Sequence, residues 1–381
     1  MRIVDVIAAA STGGVADNRV WLRNLYEPLL DLGHEVVLIP ADDGHIAAAT
    51  DDAELRARFS ERLVRAVREG ISSGGVDLFF SYLTDGAVEP AAIDEIGALG
   101  VPTCNFSCNN THQFDLVNGI SPHFCYSAHS EKDAAEKFSA VGANPVWFPM
   151  AANPKFYHPV DTPRTIDACF VGQRYAMRPH YVGALLDDGL NVQVFGPGWR
   201  LSGEGPVPAL KRRLRRLAMW ERALVGRPND RERALAERRW LEEAERVRLR
   251  YDSNMHAPVT DEEMVRLYSA SSVSLGFLEV FDAHDPSAEV KQHLHLRDFE
   301  APMCGALYLT GYMSELEEFF EPDREVATYS SEEELVDKAR FYVKNETVAQ
   351  AMRVAGLARA RACHTYQRRF QDLFRAIGVG A

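Results

Sequence analysis

The chain of 381 residues exceeds one ordinary hydrophobic core and suits two domains of roughly 150–200 residues. Hydrophobic residues make up 46% and charged residues 25%, which excludes a disordered tail and a fibrous repeat. No run approaches the ~20 apolar residues of a membrane span, and a net charge of −13 disfavours nucleic acid and anionic lipid outside any separate basic patch.

In chain order, MRIVDVIAAASTGG resembles a secretion signal only superficially. Asp5 interrupts a very short apolar run that leads into a Gly-Gly turn, so the segment reads as a first buried strand. A helical segment follows around 20–32, then a strand over Glu35–Ile39. Leu55, Phe59, Leu63 and Val67 recur at i, i+4, i+8 and i+12, the apolar stripe of one helix. DLFFSYL, VPTCNFS and HFCYSA supply further strands. Such continuous apolar runs suit parallel strands buried on both faces, and hence a doubly wound α/β unit over residues 1–150.

From Phe148 to Pro163 the alternation stops. Prolines at 149, 154, 159 and 163 predict an extended linker that could act as a hinge. It restarts with DACFVG, a helix near Arg178–Leu186, NVQVFG, SSVSLGF, a helix from about Arg297, GALYLT and EVATYS, which marks a second α/β unit over 164–360. The last segment, within 364–381, carries Tyr366, Phe370 and Phe374 at helical spacing.

Residues 200–255 read as a helical insertion into the second unit. They hold 15 Lys and Arg against 9 Asp and Glu, a net of +6, which leaves −19 on the rest of the chain. Two readings stay open for the stretch 210–250. It is either a solvated helical excursion or a basic amphipathic surface for an anionic acceptor or a membrane interface. The aromatic interleaving needed to stack bases is nearly absent, so no nucleic acid partner is expected. The six cysteines, at 104, 108, 125, 169, 304 and 363, form no Cys-x-x-Cys pair; they read as free thiols in a reducing, cytoplasmic compartment.

No phosphate-binding G-x-x-x-x-G-K-[ST] loop, G-x-G-x-x-G turn, H-E-x-x-H helix or Asp-x-Asp pair occurs. Three constellations remain, each at a strand-to-helix junction, the edge where open α/β sheets bind ligands. The first is Ser11-Thr12-Gly13-Gly14, whose glycines admit close approach of a ligand but also fit a purely structural turn. The second is Gly172-Gln173-Arg174 with Arg178 beyond: two guanidinium groups that suit phosphate oxygens, or surface arginines met by solvent. The third runs from His293 through His295, Arg297, Asp298 and Glu300 to Thr310. Arg297 and Glu300 stand i and i+3 on one helix, at the end whose dipole favours a phosphate, and a carboxylate there accepts paired hydroxyls such as those of ribose. A helix-capping role for the glutamate is the alternative. A metal held by His293, His295 and Asp298 is not expected.

The stretch Arg297–Thr310 resembles the R-x-F-E-x-x-x-x-G signature of group 1 glycosyltransferases with the GT-B fold, nearest to the CgeB-like (spore-maturation-protein-like) branch. The likeness continues through Glu315–Phe320, Glu325-Val326, Glu333–Leu335, and His364–Tyr366 with Arg369. It also covers Phe170–Arg178 and NVQVFGPGW and, more loosely, GGV and LGHEV near the N-terminus. The resemblance implies two Rossmann-like domains facing a cleft, with the C-terminal helix of 364–381 packing back on the first domain. It further implies a nucleotide-sugar donor bound by the second domain. Carried over by position, Glu300 holds the ribose hydroxyls, Arg174 and Arg297 face the diphosphate with Gly172 and Arg178 beside them, and Gly13 and Gly14 approach from the first domain.

Two positions depart from the pattern. Gln292 stands where many retaining relatives carry a second glutamate, eight places before the ribose one. Asn109-Asn110-Thr111-His112 replaces an acidic pair. His112, Lys291 and His293 are therefore the catalytic candidates. The expected activity is a hexosyltransferase-type transfer from a nucleotide sugar, with a UDP-sugar as the leading donor, to an unidentified acceptor. The resemblance implies retention at the anomeric carbon, and no metal or further cofactor is expected. Two rivals stay open: a nucleotide-sugar epimerase or hydrolase on the same scaffold, and a sugar-nucleotide-binding subunit without catalysis.

Overall fold

The structure, a computed structural model, describes residues 1–9, 19–200, 240–280 and 291–380. It divides into two compact units, one of Met1–His158, His293–Met303 and Ala358–Ala381, the other of Pro159–Gln292 and Cys304–Leu357.

The first unit is built on six strands: β1 (Arg2–Ile7), β2 (Glu35–Pro40), β3 (Leu78–Ser81), β4 (Thr103–Ser107), β5 (Tyr126–His129) and β6 (Pro145–Trp147). They lie in the order β2-β1-β3-β4-β5-β6, every pair parallel. Successive side chains of a strand point to opposite faces, and β1 buries both. Val4 and Val6 join Phe59, Leu63 and Val67 of the helix Ala53–Ser72 in one core, with Leu55 half-buried at its start. That helix begins at Asp52, whose carboxylate accepts the Leu55 N–H at 2.9 Å, an N-cap of the usual kind.

On the other face the rings of Phe80, Phe148 and Phe370 meet edge-on or tilted at centroid distances of 5.2–6.4 Å. Phe370 belongs to the C-terminal helix Tyr366–Ile377, whose Tyr366, Phe370 and Phe374 are buried in this unit. Arg369 on the same helix donates to the carbonyls of Pro149 (3.1 Å) and Met150 (3.3 Å) and to Nδ1 of His364. Burial pulls its guanidinium down to about 10. Asp5, paired in register with Leu38 and Phe80, is fully buried and finds no hydrogen-bond partner among the described residues. Desolvation pushes its carboxyl up to about 8, so it is neutral at pH 7.

The second unit repeats the plan with β7 (Ile166–Val171), β8 (Val192–Phe195), β9 (Met255–His256), β10 (Ser271–Leu275), β13 (Tyr308–Gly311) and β14 (Ala327–Tyr329). The order is β14-β13-β10-β7-β8-β9, again all parallel. Phe170, Val194, Leu275 and Leu309 meet Val182, Leu185, Leu335 and Ala339 from the flanking helices in its core. A two-stranded antiparallel hairpin, β11 (Glu279–Val280) with β12 (Lys291–Gln292), stands apart from this sheet. The proline-marked segment after Phe148 holds no helix or strand up to Thr165.

Candidate functional site

In the second unit the turn after β7 is shaped by glycine. A Cβ on Gly196 would lie 2.3 Å from the Gly172 carbonyl oxygen, and Gly196 has φ +144°. Only glycine lets the two backbones approach so closely. Trp199 Nε1 donates to that same Gly172 oxygen at 2.7 Å, and the Arg174 N–H donates to Pro197 O at 3.0 Å. NVQVFGPGW thus holds the 172–174 turn from outside. Arg174 is half-buried on it.

Arg178 lies deeper, 4% exposed. Its Nη1 donates to Gln173 O at 3.0 Å and its Nη2 to the Tyr175 hydroxyl at 2.8 Å. The guanidinium sits 3.8 Å from the centre of the Tyr175 ring. These bonds make it a brace of the turn that carries Arg174.

The third constellation centres on the helix Arg297–Met303. Asp298, fully buried, accepts the His295 N–H at 2.6 Å, and the Glu300 N–H donates to Leu296 O at 2.9 Å. The first turn is therefore fixed by its own side chain. Arg297 is half-buried and Glu300 is 4% exposed. Glu300 lies in electrostatic reach of Tyr366, whose phenol is raised first by burial and then by the charges of Cys108 and Glu300. Gly305, the glycine of the signature, has φ +70°, and a Cβ there would press within 3.1 Å of Pro159.

His293 and His295 lie in the loop between β12 and this helix, not on a strand. Their rings meet at 4.2 Å, and His293 also stacks on His112 at 5.1 Å with planes 22° apart. Two of the three catalytic candidates thus come together within the first unit. Lys291 is exposed on the hairpin of the second unit, paired with Val280. Gln292 pairs with Glu279. Among the described residues no group of three His, Cys, Asp or Glu side chains could hold a metal ion.

His112 belongs to a one-turn helix, Asn110–Gln113, after β4. Its loop is held by a residue the sequence did not single out. The Asn109 and Asn110 N–H groups donate to Oε1 and Oε2 of Glu131 at 2.8 and 2.9 Å, and the Ser130 hydroxyl adds a bond of 2.7 Å to Oε1. Desolvation raises the Glu131 carboxyl against the opposing pull of these donors. No spacing signal marks such a residue, because its targets are backbone groups 21 and 22 positions away.

Gly13 and Gly14 lie outside the described residues, as does most of the basic insertion, residues 201–239. In the part described, a helix over 240–250, the arginines are ion-paired: Arg246 with Glu243 and Asp187, Arg248 with Glu245, and Arg250 with Asp187. No helix among the described residues is long and apolar enough to cross a membrane.

A family model described as glycosyl transferase-like matches residues 181–375, more than half of the chain. The chain belongs to the glycosyl transferase-like family. Sugar transfer is the chemistry of that family, and the match takes in the Arg297–Met303 helix, Gly305 and Arg369 together. No curated protein is significantly similar in sequence. Among solved structures, a glycosyltransferase from Rickettsia africae superposes with a TM-score of 0.60 at 12% identity, covering 100% of this chain and 99% of that one. Sucrose-phosphate synthase from Thermosynechococcus elongatus gives 0.59 at 12%, with 99% of each chain covered. Anabaena HepE, solved with UDP and glucose, gives 0.56 at 11%, again over 99% of each. At such identities the likeness is one of fold, and the fold is the two-domain α/β GT-B architecture.

Proposed function

We propose that this glycosyltransferase takes its sugar from a UDP-sugar, with Glu300 as the ribose-binding carboxylate. The observation that carries the reading is Glu300 itself: a nearly buried carboxylate in the first turn of Arg297–Met303, on a scaffold whose relative HepE is solved with UDP-glucose. A carboxylate offers two acceptor oxygens side by side, and the two vicinal hydroxyls of a ribose match them. Arg297 and Arg174 face the diphosphate in this reading, with Gly172 at the turn, Gly13 and Gly14 beside the donor, and Arg178 as the brace behind Arg174. Fixed cations favour the charge that gathers on the leaving diphosphate as the glycosidic bond breaks. His112 and His293 meet the transferred sugar or its acceptor, and Lys291 is the third reacting group.

The signature blocks at Arg297–Thr310 and Glu315–Phe320 favour the CgeB-like branch and a hexosyl transfer with retention. Transfer proceeds without an obligatory metal, and the six free thiols suit the reducing cytoplasm. The stretch 210–250 is the proposed contact for an anionic acceptor or a membrane surface.

Calorimetry with UDP and UDP-glucose tests the ribose assignment. Glu300→Ala is expected to weaken both by roughly 1–3 kcal/mol, the worth of lost charged hydrogen bonds. Unchanged affinity in a folded variant would remove the assignment. Turnover of UDP-glucose in EDTA, with the anomeric configuration of the first-formed product read by NMR, tests metal independence and retention.

A further inference from the structure

The loop that carries His112 is gripped at both ends. At its amino end Asn109 has φ +63°, a left-handed conformation uncommon outside glycine, and the N–H groups of Asn109 and Asn110 are taken by the two oxygens of Glu131. At its other end Lys137 Nζ donates to the carbonyls of Asn110 (3.1 Å) and Thr111 (2.8 Å). The grip is itself held. Glu131 is 4% exposed and bonded by Ser130, and its carbonyl accepts from Nδ1 of the buried His129 at 2.9 Å. The His129 ring stacks on Phe138 at 5.3 Å. Charge-assisted bonds to backbone are about twice as strong as neutral ones, so a carboxylate on the donors and an ammonium on the acceptors fix one backbone shape.

We propose that Glu131 and Lys137 are positioning residues that hold the left-handed turn at Asn109 and thereby seat the His112 imidazole flat against that of His293. Neither touches substrate; both act through His112. The inference rests on the proposed role of His112 only for its catalytic consequence. The ring geometry is a separate claim with its own readout.

The test uses full-length protein carrying 13Cε1-labelled histidine, with the His112 and His293 signals assigned from His112→Gln and His293→Gln. Glu131→Gln keeps the size of the side chain but turns one acceptor oxygen into a donor. It is expected to displace the His112 and His293 signals together while leaving those of His45 and His256 in place. Glu131→Asp, which keeps both oxygens, is expected to restore them partly. Lys137→Met carries the same expectation from the other end and serves if Glu131→Gln does not fold. A merely structural role would lower the melting temperature without moving these two signals in the folded protein. Ring signals unmoved in a folded clamp variant overturn the proposal.

Release of UDP from UDP-glucose separates the two claims. If His112→Gln keeps native turnover while the clamp variants displace the rings, the catalytic reading of His112 falls and the clamp stands. If His112→Gln loses turnover, the clamp variants are expected to lose roughly 10–100-fold in kcat with little change in KM for UDP-glucose, as for misplaced reacting groups. Clamp variants with native turnover would then overturn the clamp.

Discussion

The first unit shapes the loop after β4 with charge: a buried carboxylate on backbone donors and an ammonium on backbone acceptors. The second unit shapes the turn after β7 with space, through Gly196 lying where no Cβ fits and Trp199 closing over the Gly172 carbonyl. The difference extends to what each unit buries. Within β1 the first unit buries a carboxyl, Asp5, with no hydrogen-bond partner among the described residues, whereas the second unit's buried Arg178 and Arg353 have donors that reach carbonyls and an acid. Two sheets of the same plan therefore have different weak points, pH in one and side-chain volume in the other.

The largest effect expected is on Asp5. Its carboxyl titrates near 8 in the folded protein, raised from 3.8 by desolvation, so between those values the native state holds a proton that the unfolded chain has released. Stability from this group is greatest below about pH 4 and falls as pH rises to 8, by about 1.4 kcal/mol per unit and roughly 6 kcal/mol in all. Asp5→Asn removes the dependence. Its melting temperature is expected to exceed that of the native protein by a margin that widens from pH 5 to pH 9. A constant margin in scanning calorimetry would break the contrast between the units.

Next comes Gly196→Ala, which forces a Cβ against the Gly172 carbonyl at positive φ. A loss of ~3 kcal/mol is expected, seen as a melting temperature lower by roughly 6–12 °C. Arg178→Lys keeps the charge but loses the fork that meets Gln173 and Tyr175. About 2 kcal/mol is expected, measured by denaturant unfolding. The smallest effect sharpens the comparison from the other side. Asn109→Ala is expected to cost about 1 kcal/mol at its left-handed φ, whereas Asn109→Gly should lie within about 0.5 kcal/mol of native. Equal costs for the two would mean that backbone conformation is not what Glu131 has to enforce.

Much of the fold was legible because periodicity reports burial directly. Phe59, Leu63 and Val67 lie in the core as their spacing predicts, and DLFFSYL, VPTCNFS, DACFVG and NVQVFG all contain strands. The short strands β6 and β9 and the hairpin β11–β12 escaped notice, since two or three residues carry no period. The π-helical turn Leu22–Tyr26 has no sequence mark either. At the site, the resemblance pointed to the Arg297–Gly305 block, and the structure adds why the glycine is needed: φ +70° with Pro159 alongside. The stacking of His112 on His293 joins residues 181 positions apart in sequence, which no local pattern encodes. Arg178 looked like a phosphate ligand by type and spacing, yet its bonds turn inward, because nothing in a sequence tells a donor aimed at solvent from one aimed at a carbonyl.

Glu131 grips peptide groups and leaves the side chains of its loop out of the bargain. Thr111 and Gln113 can therefore be rewritten by saturation libraries while the frame around them stays put. A search for variants with altered acceptor preference would do well to randomise Thr111 and Gln113 first and to leave His112 and the glutamate alone.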